Sequence, residues 1–299
     1  MACDCAVAAI ISLNEKCFFI PQEKESEDFC VFLHEKQIKD MTRRPLILIT
    51  NDDGIYANGI HHLAETVKDL GDVVIVAPDS PRSGQSSAIT VGAPLKITAH
   101  RDSGSARVFS VSGTPVDCVK LAFHNIMPRK PDLLLSGINH GSNSGTAITY
   151  SGTMGAVLEG CMAGIPSVGF SLLHHSLKAD FTLSTEYVRE ISRKVLERGL
   201  PDWVCLNVNI PALVVPRGVK ACRAARGHWS EEYDRYIDPS GNPFYWLTGR
   251  FVNAEPDATD TDEYWLNQKY ISLVPVTPDQ TYDSSVEDMS TRLFHLNYK

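Results

Sequence analysis

The sequence lacks a long apolar run. The longest near the N-terminus, AVAAIISL from Ala6 to Leu13, is far short of the roughly 20 residues that span a bilayer. Met1 to Cys5 carries no positive charge to open a signal peptide, so a soluble, unexported, cytoplasmic protein with no membrane partner is expected. No block of lysine or arginine is present. With 28 Lys+Arg against 36 Asp+Glu the formal net charge is −8, which argues against a nucleic-acid duplex as partner and means that an anionic substrate would need a cation. No C-x-x-C pair occurs either. Cys3, Cys5, Cys17 and Cys30 crowd the first forty residues, and Cys118, Cys161, Cys205 and Cys222 are scattered through apolar segments. That is thiol usage in a reducing compartment without zinc or redox work, and Cys3-Asp4-Cys5 reads as an idle surface pair.

What is present is an ordinary globular composition, 43% hydrophobic and 21% charged over 299 residues, enough for one large domain with an appendage. Residues 1–40 differ in kind. They hold eight acids against four lysines, half of the chain's net charge, and follow no sustained period. They are expected to be a loosely attached extension outside the core, with a second methionine, Met41, just before the first clear strand.

From Arg44 onward the periods alternate. Leu46 to Thr50 is a continuous apolar strand, Ile60, Leu63, Ala64, Val67 and Leu70 mark one helix face, and Val73 to Ala77 is a second buried strand. Continuous apolar strands joined by helices predict a Rossmann-like α/β domain over 41–211, its mostly parallel sheet covered on both faces. Two period-2 segments near Leu95–Thr98 and Val108–Val111 predict an inserted β-hairpin. SGTPVDCVKLAFHNIM opens a helix with Thr114 as N-cap, Pro115 at the first helical position and Asp117 in the first turn. The strand PDLLLSGIN, the helix SGTMGAVLEGCMAGIP, the strand SVGFSL, the helix Ser184 to Arg198 and the strand VCLNVNI complete the winding. Residues 212–299 are aromatic and acidic, hold three of the four tryptophans, and predict hairpins, the strand YISLVPVTP and a terminal helix over 286–296. So short and aromatic a segment is expected to pack on the core and on a partner subunit.

Ligands of open α/β sheets bind outside the carboxyl ends of the strands. Three polar, glycine-containing loops fall there: Asn51-Asp52-Asp53-Gly54, PDSPRSGQSS with Ser83 and Gly84, and INHGSNSG with Asn139, followed by the helix opening at Ser151-Gly152-Thr153. Alone, NDDG is a strand-to-helix turn with Asn51 or Asp53 as a cap. The two further loops at the same edge turn the reading toward a hard, oxygen-liganded cation, Mg²⁺, Mn²⁺ or Ca²⁺, whose charge would offset the repulsion between Asp52 and Asp53. The free N–H groups at the Ser151–Thr153 helix start suit a phosphate.

ILITNDDGI, VVIVAPDSPRSGQSSAIT, SGTPVDCVKLA, DLLLSGINHGSN and YSGTMGAVLEG, in that order, resemble the consecutive motifs of the SurE survival-protein family of metal-dependent nucleotidases. The resemblance extends from about Pro45 into the tail at FYW and YISLVPVTP. It implies a Mg²⁺ or Mn²⁺ ion held by Asp52, Asp53, Ser83 and Asn139, nucleoside monophosphates as substrates, a cytoplasmic location, and a homodimer or homotetramer built partly by exchanging C-terminal segments. His140 and Ser142 stand where relatives vary, which bears on substrate preference. The expected reaction is phosphomonoester hydrolysis by a metal-activated water, with Asp52 or Asp53 orienting or deprotonating it and Asn139, Ser83, Asn51, Gly84 and the 151–153 amides holding the phosphate. The general base is left open between the two aspartates.

Two other classes fit the sequence less well. A haloacid-dehalogenase-type phosphatase wants D-x-D, whereas adjacent acids point apart. A non-catalytic nucleotide-binding module lacks its usual mark, because NDDGIYANG stands where G-x-G-x-x-G would follow the first strand. His61, His62, His174, His175 and His228 read as surface or packing residues, and Asp257, Asp260 and Asp262 as a solvated acidic turn without calcium-loop spacing.

Overall fold

The computed structural model describes residues 43–104, 106–176 and 178–281. The expected extension at 1–40 and the terminal helix at 286–296 lie outside them. Strand β1 (Leu46–Thr50) is buried along its whole length, as a strand covered by helices on both faces must be. It is flanked by β2 (Asp72–Pro78) and β5 (Leu133–His140), both parallel to it. Beyond β2 lies β4 (Arg107–Val111), also parallel, and then β3 (Ile97–Ala99), antiparallel at the edge. On the other side β5 is followed by the parallel strands β6 (Ser167–Leu172) and β7 (Cys205–Ile210), then by antiparallel β13 (Ile271–Val276) and by β8 (Val219–Ala221).

The sheet order is therefore β3-β4-β2-β1-β5-β6-β7-β13-β8. The winding leaves β1 toward β2 and later returns to its other side at β5, so the crevice between the ends of β1 and β5 is the topological switch point, where open α/β sheets place their ligands.

Helices close both faces. Helices α1 (Asn58–Val67) and α4 (Thr185–Arg198) lie together on one, linked by Arg189–Asp69 and by His62 Nε2 with Thr185 Oγ1 at 3.0 Å. Between them and the sheet sit Ile47, Ile49, Ile60, Leu63, Phe170 and Val188. Helices α2 (Pro115–Leu121) and α3 (Gly152–Met162) cover the opposite face, joined by Lys120 Nζ donating to Glu159 at 2.6 Å, over Leu48, Val74, Val76, Val119, Met154 and Val157. Helix α2 starts as its sequence predicts, with Thr114 and Asp117 forming a capping box and Pro115 following the cap. Asp117 does more than cap, because it also accepts from the Thr90 hydroxyl at 2.6 Å and so ties down the loop after β2.

The structure redraws two elements. The predicted hairpin is present as β3 and β4, but β4 is a full member of the parallel sheet because Val108 and Val111 are buried there. Helix α2 is shorter than its apolar pattern and passes at Ala122 into a wider turn over Ala122–Ile126. After β7 the chain forms two separate ribbons, β9 (Gly227–Ser230) with β12 (Arg250–Asn253), and β10 (Tyr233–Ile237) with β11 (Pro243–Leu247). Between them and β13 runs the short helix α5 (Asp262–Asn267).

Candidate active site

Asp52 and Asp53 follow the end of β1 and are each held by a different element. Asp52 is 4% exposed, and its Oδ1 accepts a 2.6 Å hydrogen bond from the hydroxyl of Thr153 in the first turn of α3. Burial, against the Thr153 hydrogen bond and with the charge of Asp53 beside it, pushes the Asp52 carboxyl up to about 6. The helix start and the carboxylate are packed so closely that a methyl on Gly152 would stand 2.8 Å from Asp52 Cβ and 2.9 Å from its Oδ2. Asp53 is held from β5: its Oδ2 accepts the backbone N–H of His140 at 3.2 Å. Burial raises its carboxyl too, against the field of His140. Neither aspartate is bonded to a lysine or arginine side chain among the described residues.

Asn51 fulfils the turn reading of NDDG: its Nδ2 donates to Gly54 O at 3.0 Å, while Gly54 takes φ +93°, a conformation that favours glycine. Its Oδ1 is buried without a partner, as are Thr50 Oγ1 and, on the neighbouring strand β5, Ser136 Oγ. Asn139 commits its amide nitrogen to Gly141 O at 2.9 Å, which leaves Oδ1 as the ligand end of the side chain. The loop after β2 is held to this edge by the Arg82 N–H, which donates to Asp52 O at 2.7 Å. Ser83 and Gly84 stand exposed on that loop and are not hydrogen-bonded to either aspartate. Ser151 uses its hydroxyl to cap α3 at Met154 N, 3.1 Å away. Thus Asp52, Asp53, Asn51, Asn139, Ser151, Gly152 and Thr153 converge at one edge, with Ser83 and Gly84 on its rim.

Beside Asp53 opens a cleft of about 360 Å³ whose walls include Tyr56, Asn58, Asp79, Ser80 and His140. A family model described as Survival protein SurE matches residues 47–231, more than half of the chain. The chain belongs to the SurE family. It is 50% identical over 254 residues to the protein named 5'-nucleotidase SurE of Christiangramia forsetii, covering 83% of this chain and 97% of that one. The protein of the same name in Bacteroides fragilis is 47% identical over 239 residues, 80% of this chain and 94% of its own length. The crystal structure of the SurE protein from Aquifex aeolicus superimposes with a TM-score of 0.71 at 37% identity, covering 83% of this chain and 99% of that one. The SurE match takes in every strand end that builds the crevice.

Some contacts at the SurE crevice are not legible from side-chain type, even inside the motifs. Arg82 and the backbone of His140 act through main-chain N–H groups, which any residue type supplies. Asp262 is a correction. Instead of lying in a solvated acidic turn it is fully buried, its carboxylate accepting from Gly145 N and Ala225 N at 2.8 Å each, while Glu263 accepts from the Ser144 hydroxyl at 2.5 Å. Asp260, two residues earlier, is exposed and paired with Arg223 as expected of a surface acid. The tail therefore holds the 141–145 loop that leads to Ser151. Two buried amides support the same loop from below: Asn209 Oδ1 accepts Asn143 N at 2.8 Å, and Asn207 Nδ2 donates to Asn143 O at 2.8 Å.

Proposed function

We propose that the chain is a divalent-metal-dependent phosphomonoesterase that hydrolyses nucleoside monophosphates, at the 5' or 3' position, to nucleoside and phosphate. The observation that carries this reading is the pair of adjacent carboxylates at the switch point, Asp52 buried and Asp53 half-buried, neither paired with a lysine or arginine side chain among the described residues. Two such charges in a low-dielectric crevice repel each other and resist ionisation, and a hard cation relieves both effects. The donor set fits one: two carboxylate groups, the Asn139 amide oxygen and hydroxyls, with the unpartnered Asn51 Oδ1 close in sequence. Asp52, Asp53, Asn139 and Ser83 would hold Mg²⁺ or Mn²⁺. When bound, that ion supplies polarisation of the phosphoryl group and lowers the proton affinity of the attacking water.

The chain's own groups do the remaining work. By donating to Oδ1, Thr153 favours the ionised form of Asp52 against its burial and aims the carboxylate, and the His140 N–H does the same for Asp53. The opening of α3 brings the positive end of a helix to the site, which favours a phosphate. Packing of the 141–145 loop on Asp262 and Asn209 fixes that opening in place. The relatives named 5'-nucleotidase SurE support the substrate class.

The same proposal includes a cytoplasmic location and a homodimer or homotetramer. Among the described residues no helix is long and apolar enough to cross a membrane. The β10–β11 ribbon is exposed along its whole length, with Tyr233, Tyr236, Ile237, Tyr245, Trp246 and Leu247 uncovered. An isolated two-stranded ribbon is marginal in water, so a second subunit is its natural support.

The test is a screen of nucleoside 5'- and 3'-monophosphates with Mg²⁺ or Mn²⁺ beside an EDTA control. Phosphate release that EDTA abolishes and either metal restores is the expected result. Turnover indifferent to EDTA, or tight nucleotide binding without turnover, overturns the proposal.

A further inference from the structure

Tyr56 is 77% exposed although both of its chain neighbours are anchored: Ile55 is buried with its N–H on Pro78 O at 2.8 Å, and the Ala57 N–H donates to Gly54 O at 3.1 Å. The backbone that carries the ring is therefore fixed. The ring itself is set by an edge contact with His100, at 6.1 Å between centroids and 88° between planes, and His100 is in turn held by Ser110 Oγ at 2.7 Å. A perpendicular contact orients an aromatic ring and leaves at least one of its faces uncovered. No packing need of the fold accounts for a large aromatic side chain presented in this way.

The cleft that Tyr56 walls is the one that contains Asp53. At about 360 Å³ it is within the range of small-ligand sites, and its other polar walls are Asn58, Asp79, Ser80 and His140. Tyr56 follows Asp53 by three residues and both line the one cleft, so an aromatic side chain and a phosphate-handling carboxylate are presented to the same small molecule. A phosphomonoester with a flat, π-rich group one sugar away from its phosphate matches that arrangement.

We infer that this cleft is the nucleoside subsite and that Tyr56 is its stacking platform, the residue by which the enzyme favours a nucleotide over a base-free sugar phosphate. The inference rests on the proposed nucleotidase reading and adds the specificity element to it. Stacking is tolerant of base identity, since every base has a π-face, so Tyr56 selects for the presence of a base and not for one base.

The experiment compares the wild type, Tyr56→Ala and Tyr56→Phe on adenosine 5'-monophosphate and on ribose 5-phosphate, with saturating Mn²⁺. Tyr56→Ala should raise KM for the nucleotide about tenfold, leave kcat within about twofold, and leave ribose 5-phosphate kinetics unchanged, whereas Tyr56→Phe should behave as wild type. An unchanged nucleotide KM in Tyr56→Ala, or an equal rise for both substrates, overturns the stacking role alone. Wild-type enzyme that cleaves ribose 5-phosphate but not the nucleotide overturns the nucleotidase reading, and the stacking role with it.

Discussion

Thr153 Oγ1 donates a 2.6 Å hydrogen bond to Asp52 Oδ1, joining the first turn of α3 to the end of β1 across 101 residues of sequence. The bond favours the ionised carboxylate, and Thr153→Val removes it while keeping the side chain's shape. In metal-free protein the Asp52 carboxyl should then titrate above its present value of about 6, and the pH below which Mn²⁺ affinity is lost should move up. A metal titration whose pH dependence is unmoved would count against ionised Asp52 as a ligand.

The same carboxyl predicts how stability responds to pH. Its folded pKa, about 6, lies above the ordinary 3.8, so the folded state holds a proton that the unfolded chain has released between those values. In metal-free protein the penalty is absent below pH 4, grows as pH rises through 6, and reaches about 3 kcal/mol at neutral pH. Mn²⁺ should accordingly raise the melting temperature more at pH 7.5 than at pH 4.5. Equal shifts at both pH values, measured by thermal denaturation, would contradict this.

Asp53→Asn preserves size and removes one charge from the pair. Turnover should fall by at least about a hundredfold with the melting temperature of the metal-free protein maintained or raised, because a buried repulsion disappears. Asp52→Asn should do the same. Normal metal-dependent phosphate release in either variant would take that carboxylate out of the site.

Gly152→Ala tests how closely the helix start must approach. The added methyl would meet Asp52 Cβ at 2.8 Å, so either the carboxylate or the first turn of α3 must shift. A loss of about 1–3 kcal/mol in stability and a larger proportional loss in kcat are expected. Chemical denaturation beside steady-state kinetics separates the two effects, and wild-type kcat would show that the approach is not needed.

For Asn139 the amide nitrogen is already spent on Gly141 O, so Asn139→Ala loses both a turn contact and the Oδ1 ligand, while Asn139→Asp keeps an oxygen and adds charge. Both variants should fold and lose most activity, with the Asp form alone retaining metal affinity in a titration. Near-normal turnover in both would make the end of β5 scaffold only.

The alternation of buried strands with amphipathic helices, the capping box at Thr114 and the polar loops after β1, β2 and β5 are local patterns. They are written in consecutive residues, because burial and dihedral preference act on neighbours. For that reason the parallel sheet, and the placement of Asp52, Asp53 and Asn139 at the ends of its strands, are legible in the sequence. The partners of those residues were not. Nothing in the spacing of Thr153, His140 or Asp262 says that the first would bond Asp52, that the second would offer its backbone to Asp53, or that the third would be buried under the 141–145 loop. Such contacts join segments 87 to 117 residues apart, and only the packing of helices on a twisted sheet decides which of many surface-seeking polar groups are enclosed. The exposure of Tyr56 has the same origin: the fold anchors both of its chain neighbours and leaves its ring standing in the cleft.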